Sequence, residues 1–390
     1  MELTIGNISA IELAEQYGTP LYVYDQNTIL KNIQNLKESF PNTNICYAVK
    51  ANSNLEILKL VASQGLGADC SNGVEIELAE LAGFDMNRSI YTGVNPSNED
   101  LKKALESGIK INLDDISILK RILKFGKPEI ISFRINPGFG KGKFPSIVVG
   151  GKGTKFGMNE DLAREAYRQA KNAGIEKFGI HMMTGSGVNY EEYFTELTLT
   201  IQNIARRIGD SVGIKFDFMD IGGGIGVPYE PHEKDLDIKK IGTSVEKAFT
   251  YDGKLMIEPG KYIIAEAGVL LTKVTTIKNN FIGVDAGMST LIRPALYGAY
   301  HPIVLANNLD AKLVQEANIV GPICENTDFF AKNRAMPKVE EGNILAIKVA
   351  GAYCYAMASP YNGVLRPAEV MIDKEEHWVI RKRETVQDLI

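Results

Sequence analysis

The stretch Ile45-Cys46-Tyr47-Ala48-Val49-Lys50-Ala51-Asn52 is apolar and then meets a lysine. A lysine at the end of a buried strand is costly unless it is paired, neutralised or covalently engaged. An amine so placed suits a Schiff base with an aldehyde cofactor, which also needs an anion cradle and a charge set against its ring. Asp220-Ile221-Gly222-Gly223-Gly224-Ile225-Gly226 follows another apolar run. Glycines there let backbone N–H groups approach an anion closely, and a phosphate is the natural ligand; a tight turn is the plain alternative. The spacing is not GxGxxG, Pro228 follows closely, and GxxxxGK[ST] is absent from the sequence, so neither dinucleotide nor P-loop binding is indicated. Glu258-Pro259-Gly260-Lys261 ends a third apolar run. A buried carboxylate there needs a cation. A protonated pyridine nitrogen would serve, and would become a stronger electron sink. A structural ion pair with a lysine or arginine would serve equally.

Other residues offer chemistry with a bland reading beside it. Among the histidines His181, His232, His301 and His377, none has metal-ligand spacing with another. His181 alone lies at a strand end, either as a site group or as a hydrogen-bonded core histidine. Met182 and Met183 follow it and could pack on a ring or fill a core. Cys324-Glu325-Asn326-Thr327-Asp328 follows Gly321-Pro322. A lone cysteine usually packs, but the carboxylates beside it also suit a functional loop. Arg293 could grip a carboxylate in forked geometry or lie on the surface. Tyr361 could hydrogen-bond a phosphate or do structural work.

The elements that must position these residues follow from periodicity. Strand-like runs fall at about 44–51, 67–70, 89–93, 110–113, 130–136, 178–183, 216–221 and 255–258. Helical spacing fills most intervals, at 54–62, 75–81, 101–105, 116–123, 162–173 and 193–208, the last read as ending at Gly209. Alternating strand and helix imply parallel pairing. Eight units fit an α/β fold of the closed (β/α)8 type, with an open doubly wound sheet as rival. The barrel places functional residues at C-terminal strand ends, which here carry Lys50, Asp69, Ser71, Asn112, Arg134, Asn136, His181, Gly222 to Gly224 and Glu258. After about residue 265, strand-like runs at 269–277, 281–284, 318–320, 344–349, 370–372 and 378–380 have little helix between them. The division expected is a barrel over 25–265 and a β-rich domain from 1–24 and 266–390. Residues 138–157 carry seven glycines and four lysines and read as a mobile loop near the site.

Composition narrows the function classes. A net charge of −5 gives no sign of nucleic-acid binding. The cluster Arg381-Lys382-Arg383 could touch an anionic partner or form a solvated face. Cys46, Cys70, Cys324 and Cys354 form neither a CxxC pair nor a small disulfide framework. The N-terminus shows no basic-then-apolar leader, and no run reaches the ~18 apolar residues that span a membrane. A cytoplasmic protein with no membrane contact is expected.

Taken together, YAVKAN at 47–52, GIHMMTGSG at 179–187, DIGGGIGVPY at 220–229, EPGK at 258–261, VDAGMSTLIRPALYGAYH at 284–301, GPICENTD at 321–328 and YNGVLRPAEV at 361–370 resemble the alanine-racemase-fold, pyridoxal-phosphate-dependent decarboxylases. The resemblance covers nearly the whole chain. It implies a barrel plus a β domain, pyridoxal 5'-phosphate as cofactor, and a homodimer with shared active sites. It implies that Lys50 is the Schiff-base lysine, and that Asp69 and His181 belong to the cofactor site. Gly222, Gly223, Gly224, Gly260, Lys261 and Tyr361 would hold the phosphate, and Glu258 would pair with the pyridinium. Cys324 of the other subunit would be the proton donor. Lys261, Arg293, Tyr297, Glu325 and Tyr361 would read the substrate. The implied reaction is decarboxylation of meso-2,6-diaminopimelate to L-lysine and carbon dioxide. Three positions depart from the family pattern: Met183 stands where a ring-stacking histidine is usual, Lys261 where arginine is usual, and Asn326 where serine is usual. Two of these touch substrate recognition. Decarboxylation of another diamino acid or carboxylated polyamine, and racemisation, are the other enzyme readings. A cofactor carrier built from the barrel alone is the non-enzyme reading, against which the β-domain segments argue.

Overall fold

The computed structural model describes residues 1–144, 148–151 and 153–390. Two compact units form: one from Asn32–Val227 and Asp235–Tyr262, the other from Met1–Lys31, Pro228–Lys234 and Ile263–Ile390.

The first unit is a closed parallel barrel. Its strands are β1 (Asn44–Ala48), β2 (Gly67–Cys70), β3 (Ile90–Gly93), β4 (Lys110–Leu113), β5 (Ile130–Arg134), β6 (Lys177–His181), β7 (Phe218–Asp220) and β8 (Lys254–Ile257). β8 pairs with β1, Ile257 opposite Ile45, and this closes the ring. The open-sheet alternative is thereby excluded. Both faces of a barrel strand are covered, so the strands read as continuous apolar runs. Inside, Phe218 packs with Cys46, Ile90 and Met256. A Cβ on Gly179 would lie 2.1 Å from the Phe218 ring, so the glycine makes room for it.

Capping residues start several helices where the periodicity begins. Asn54 caps Leu55–Ser63, Asn72 caps Gly73–Ala82, and Ser97 forms a capping box with Asp100 at the start of Asn98–Ser107. Each side chain accepts backbone N–H groups that the first turn leaves unpaired. Two expectations are corrected. The helix read as stopping at Gly209 continues to Val212 and ends at Gly213, φ +69°. Gly209 lies inside it, at a position where a Cβ would meet the Ile214 carbonyl oxygen at 2.9 Å. The first strand ends at Ala48, and Val49–Ala51 forms a short 3-10 turn. That turn buries Val49 and Ala51 and leaves the Lys50 side chain 44% exposed, so Lys50 is not a buried strand lysine. Within the glycine-rich stretch 138–157, residues 145–147 and 152 lie outside the described residues.

The second unit is built on a mixed sheet. Its order is Phe329–Pro337, Leu313–Val320, Phe281–Val284, Gly268–Lys278, Leu21–Asp25, Ala368–Asp373 and Glu376–Arg381. Ile344–Ile347 also pairs with Gly268–Lys278, and Ile303–Leu305 pairs with Ile344–Ile347. Leu21, Val23, Leu271, Ala346, Val370 and Ile372 lie at its core. The early strand Leu21–Asp25 thus joins strands almost 250 residues later in the chain. The basic cluster near the C-terminus is used inside this unit. Arg381 pairs with the fully buried Glu369, and Arg383 donates to the carbonyls of Tyr17, Gly18 and Pro20. Among the described residues, no helix is long and apolar enough to cross a membrane.

Candidate active site

The C-terminal strand ends of the barrel gather opposite charges. Lys50 Nζ pairs with Oδ2 of Asp69, a residue of β2 only 1% exposed. Burial and the charge of Glu258 push the Asp69 carboxyl up to about 7, against the pull of Lys50. The other oxygen of Asp69, Oδ1, is buried without a hydrogen-bond partner among the described residues. Removing water penalises the carboxylate, and the lysine is what keeps it competitive as an anion.

His181 ends β6, and its Nε2 lies 3.4 Å from Oε2 of Glu258, which follows β8. Burial acts to raise the Glu258 carboxyl. The charges of His181, Lys50 and Arg134 outweigh it and hold Glu258 below the usual carboxylate range. Arg134, at the end of β5, is buried, lies 3.8 Å from Asp114 and donates to the Met183 carbonyl at 3.3 Å. Glu258 Oε1 and His181 Nδ1 are buried and have no hydrogen-bond partner among the described residues. An ionised carboxylate with an unfilled acceptor oxygen, deep in the protein, is a place for a cationic donor.

The glycine run completes the rim. Gly222 has φ +72°, and a Cβ there would lie 2.6 Å from the Met183 Sδ. A Cβ on Gly223 would lie 2.3 Å from the Glu258 carbonyl oxygen. The Glu258 N–H donates to the Gly222 carbonyl at 2.9 Å, so the run and the Glu258 segment hold each other. The Gly224 carbonyl accepts the Val188 N–H at 2.9 Å, and Gly260 precedes the short helix Lys261–Ile264. Lys261 is buried, with Nζ 3.4 Å from Ser186 Oγ. Replacing Gly223 by alanine forces the backbone apart at a rigid carbonyl. We expect a loss of about 1–3 kcal/mol in stability and weaker cofactor binding, read by melting the cofactor-free protein and by cofactor titration.

This set fits pyridoxal phosphate: an amine beside a carboxylate, an unfilled buried carboxylate oxygen, and a turn that admits only glycine. Residues 26–265 match the family described as pyridoxal-dependent decarboxylase, pyridoxal binding domain. The chain belongs to the pyridoxal-dependent decarboxylases. Similarity extends along its full length. It is 41% identical to diaminopimelate decarboxylase of Methanothermobacter thermautotrophicus, covering 100% of this chain and 94% of that protein. It is 39% identical to diaminopimelate decarboxylase of Thermoplasma acidophilum, covering 99% and 96%. The crystal structure of diaminopimelate decarboxylase from Helicobacter pylori complexed with L-lysine matches with a TM-score of 0.91 at 37% identity, over 97% of this chain and 98% of that one.

A pyridoxal-dependent decarboxylase needs groups for substrate as well as cofactor, and the remaining sequence candidates lie in the second unit. Arg293 is 4% exposed, which excludes the surface reading. Its Nη1 donates to Tyr229 Oη at 3.0 Å and lies 3.1 Å from His301 Nε2, and its guanidinium stands over the Tyr229 ring. His301 Nδ1 faces the Lys348 carbonyl at 3.0 Å, which as an acceptor requires the proton on Nδ1 and leaves Nε2 to accept from arginine. Tyr297 ends the short helix Arg293–Tyr297, with Oη 4.0 Å from Met357 Sδ. Cys324 is exposed and Glu325 follows it. Glu325 Oε2 accepts from Tyr361 Oη at 3.4 Å, and Tyr361 is 45% exposed.

Sequence reasoning gave no role to two carboxylates. Asp328 accepts the N–H groups of Met288 at 2.6 Å and Ile323 at 2.8 Å, and so anchors the Cys324 loop. Asp220 ends β7 beside Glu258 and fixes the start of the glycine run. The available signal was its place as the last residue of a barrel strand, the position the fold reserves for function.

Proposed function

We propose that this pyridoxal-dependent decarboxylase converts meso-2,6-diaminopimelate to L-lysine and carbon dioxide. The observation that carries the reading is that one barrel rim holds both an accessible amine, Lys50, paired with Asp69, and a buried carboxylate, Glu258, held below the usual carboxylate range. Its full-length relatives named diaminopimelate decarboxylase support the substrate. Pyridoxal phosphate, when bound, supplies an electron-accepting ring that takes up the electron pair left when a carboxylate departs as carbon dioxide.

The chain's own groups divide the remaining work. Lys50 Nζ would hold the cofactor's aldehyde carbon, with Asp69 fixing the amine before attachment. The N–H groups of Gly222 to Gly224, the Gly260–Lys261 backbone and Tyr361 would hold its phosphate. Glu258 would face the ring nitrogen, and its charge would keep that nitrogen protonated. His181 and Arg134 keep Glu258 ionised while that site is formed. Cys324 Sγ would deliver the proton that replaces the lost carboxylate on the α-carbon. Arg293, Tyr297, Glu325 and Lys261 would read the distal amino and carboxylate groups. We infer a homodimer in which Cys324 of each copy serves the other's site. The exposure of Cys324 and Tyr361 supports this, and solution mass measurement checks it. The absence of a disulfide among the four cysteines, all of them described residues, suits a reducing cytoplasm.

Cofactor-loaded protein should release carbon dioxide and L-lysine from meso-diaminopimelate in equal amounts. Lys261 presents one point charge where an arginine would present a fork, so substrates without the distal carboxylate belong in the same assay. Turnover of those alone would move the assignment to another diamino acid. Loss of the amino acid's chirality without carbon dioxide would make the protein a racemase.

A further inference from the structure

Asp220 is wholly buried at the end of β7. Its Oδ1 accepts the Gly222 N–H at 2.7 Å. Its Oδ2 and Oε1 of Glu258 are both buried without a hydrogen-bond partner among the described residues. One oxygen of each carboxylate and one ring nitrogen of His181 lie within 4.8 Å of one another. Two ionised carboxylates this close, out of water, repel strongly, and neither can donate to the other. A single proton on one of them removes the repulsion and can satisfy both orphan oxygens.

The surroundings decide which carboxylate holds it. Glu258 faces His181 and feels the positive charges of Lys50 and Arg134. Asp220 has one backbone N–H, and burial and the charges of Glu258 and Asp69 oppose its ionisation. We infer that Asp220 is a positioning residue that stays protonated, accepting the Gly222 N–H with one oxygen and donating its own proton to Glu258 with the other. One side chain thus fixes both the start of the glycine run and the aim of Glu258. An ionised carboxylate offers about four lone-pair sites, so Glu258 can accept from Asp220 and His181 and still receive a ring nitrogen. The functional half of this inference rests on the assignment of Glu258 to the cofactor ring.

Infrared spectroscopy of cofactor-free protein at about pH 8, where ordinary carboxyls are ionised, tests it. With aspartate labelled by carbon-13 at the carboxyl, the wild type should show a label-shifted band of a protonated acid. The band should survive in Asp69→Asn and Asp114→Asn and vanish in Asp220→Asn. No such band in the wild type, or its survival in Asp220→Asn, overturns the inference. If Asp220→Asn does not fold, the wild-type band and its survival in both control variants decide the question. Cofactor titration supplies the positioning readout. An amide can accept from Gly222 and donate to Glu258, so Asp220→Asn should hold the dissociation constant within about threefold, while Asp220→Ala should raise it at least about tenfold. Equal weakening by both variants would refute the hydrogen-bond role. Glu258→Gln separates the two claims: unchanged cofactor binding there removes Glu258 from the ring, while the infrared band still reports on Asp220.

Discussion

Lys50→Ala is expected to lower kcat by about a thousandfold or more and to abolish covalent retention of the cofactor. Borohydride reduction followed by denaturation should leave the cofactor attached to the wild-type chain and release it from the variant. Retention on the variant would sink the assignment, and peptide mapping would then show whether Lys261 had been the anchor. The loss should not be a folding artefact, because the Lys50 side chain is 44% exposed and its removal opens little core. What changes is Asp69, which loses its cation while remaining 1% exposed. Its carboxyl is raised from 3.8 to about 7 even with Lys50 present. A folded state that holds a proton more tightly than the unfolded chain is favoured at low pH. The Asp69 contribution is therefore fully present below about 4 and lost as pH rises through about 7. Without Lys50 the carboxyl rises further, so the loss extends to higher pH. Melting temperatures of cofactor-free wild type and Lys50→Ala should differ more at pH 8 than at pH 6.

The barrel was legible because its strands are covered on both faces and its helices carry caps and glycine stops, both local signals. The position of Lys50 on the strand end was legible too, but its burial was not. That depends on a 3-10 turn over Val49–Ala51, which an apolar run cannot distinguish from continued strand. Phe329–Pro337 was missed because Lys332-Asn333-Arg334 separates its buried apolar residues and leaves no unbroken run, and of its partner Leu313–Val320 only 318–320 was read because the first four residues are exposed. Ile303–Leu305 was missed because three residues are too few to show a period. At the site, glycines and an end-of-strand glutamate announce themselves by type. Asp220 does not, because its significance lies in Glu258, which only the parallel pairing of β7 with β8 brings alongside. The same limit hid the company of Arg293: His301 is near in sequence, but Tyr229 is 64 residues away.

Glu258→Gln should cost about 3–5 kcal/mol of transition-state stabilisation, the scale of breaking a buried ion pair by removing one member, or roughly two to four orders of magnitude in kcat. Glutamine keeps the shape and can accept from a protonated Asp220 or donate to an ionised one, so the barrel should fold and the glycine run should keep its turn. It cannot carry charge, so a ring nitrogen facing it loses its reason to stay protonated and the ring becomes a poorer electron sink. The effect should fall on kcat more than on KM, because the charge matters most when the departing carboxylate leaves its electron pair behind. An equal rise in KM with kcat unchanged would mean that Glu258 only helps to bind. The variant also reaches its neighbours. Glu258 raises the carboxyls of both Asp69 and Asp220, so removing its charge should let both ionise more readily. A protonated Asp220 that gives up its proton when Glu258 is neutral, and holds it when Glu258 is charged, is the behaviour of two buried acids sharing one proton.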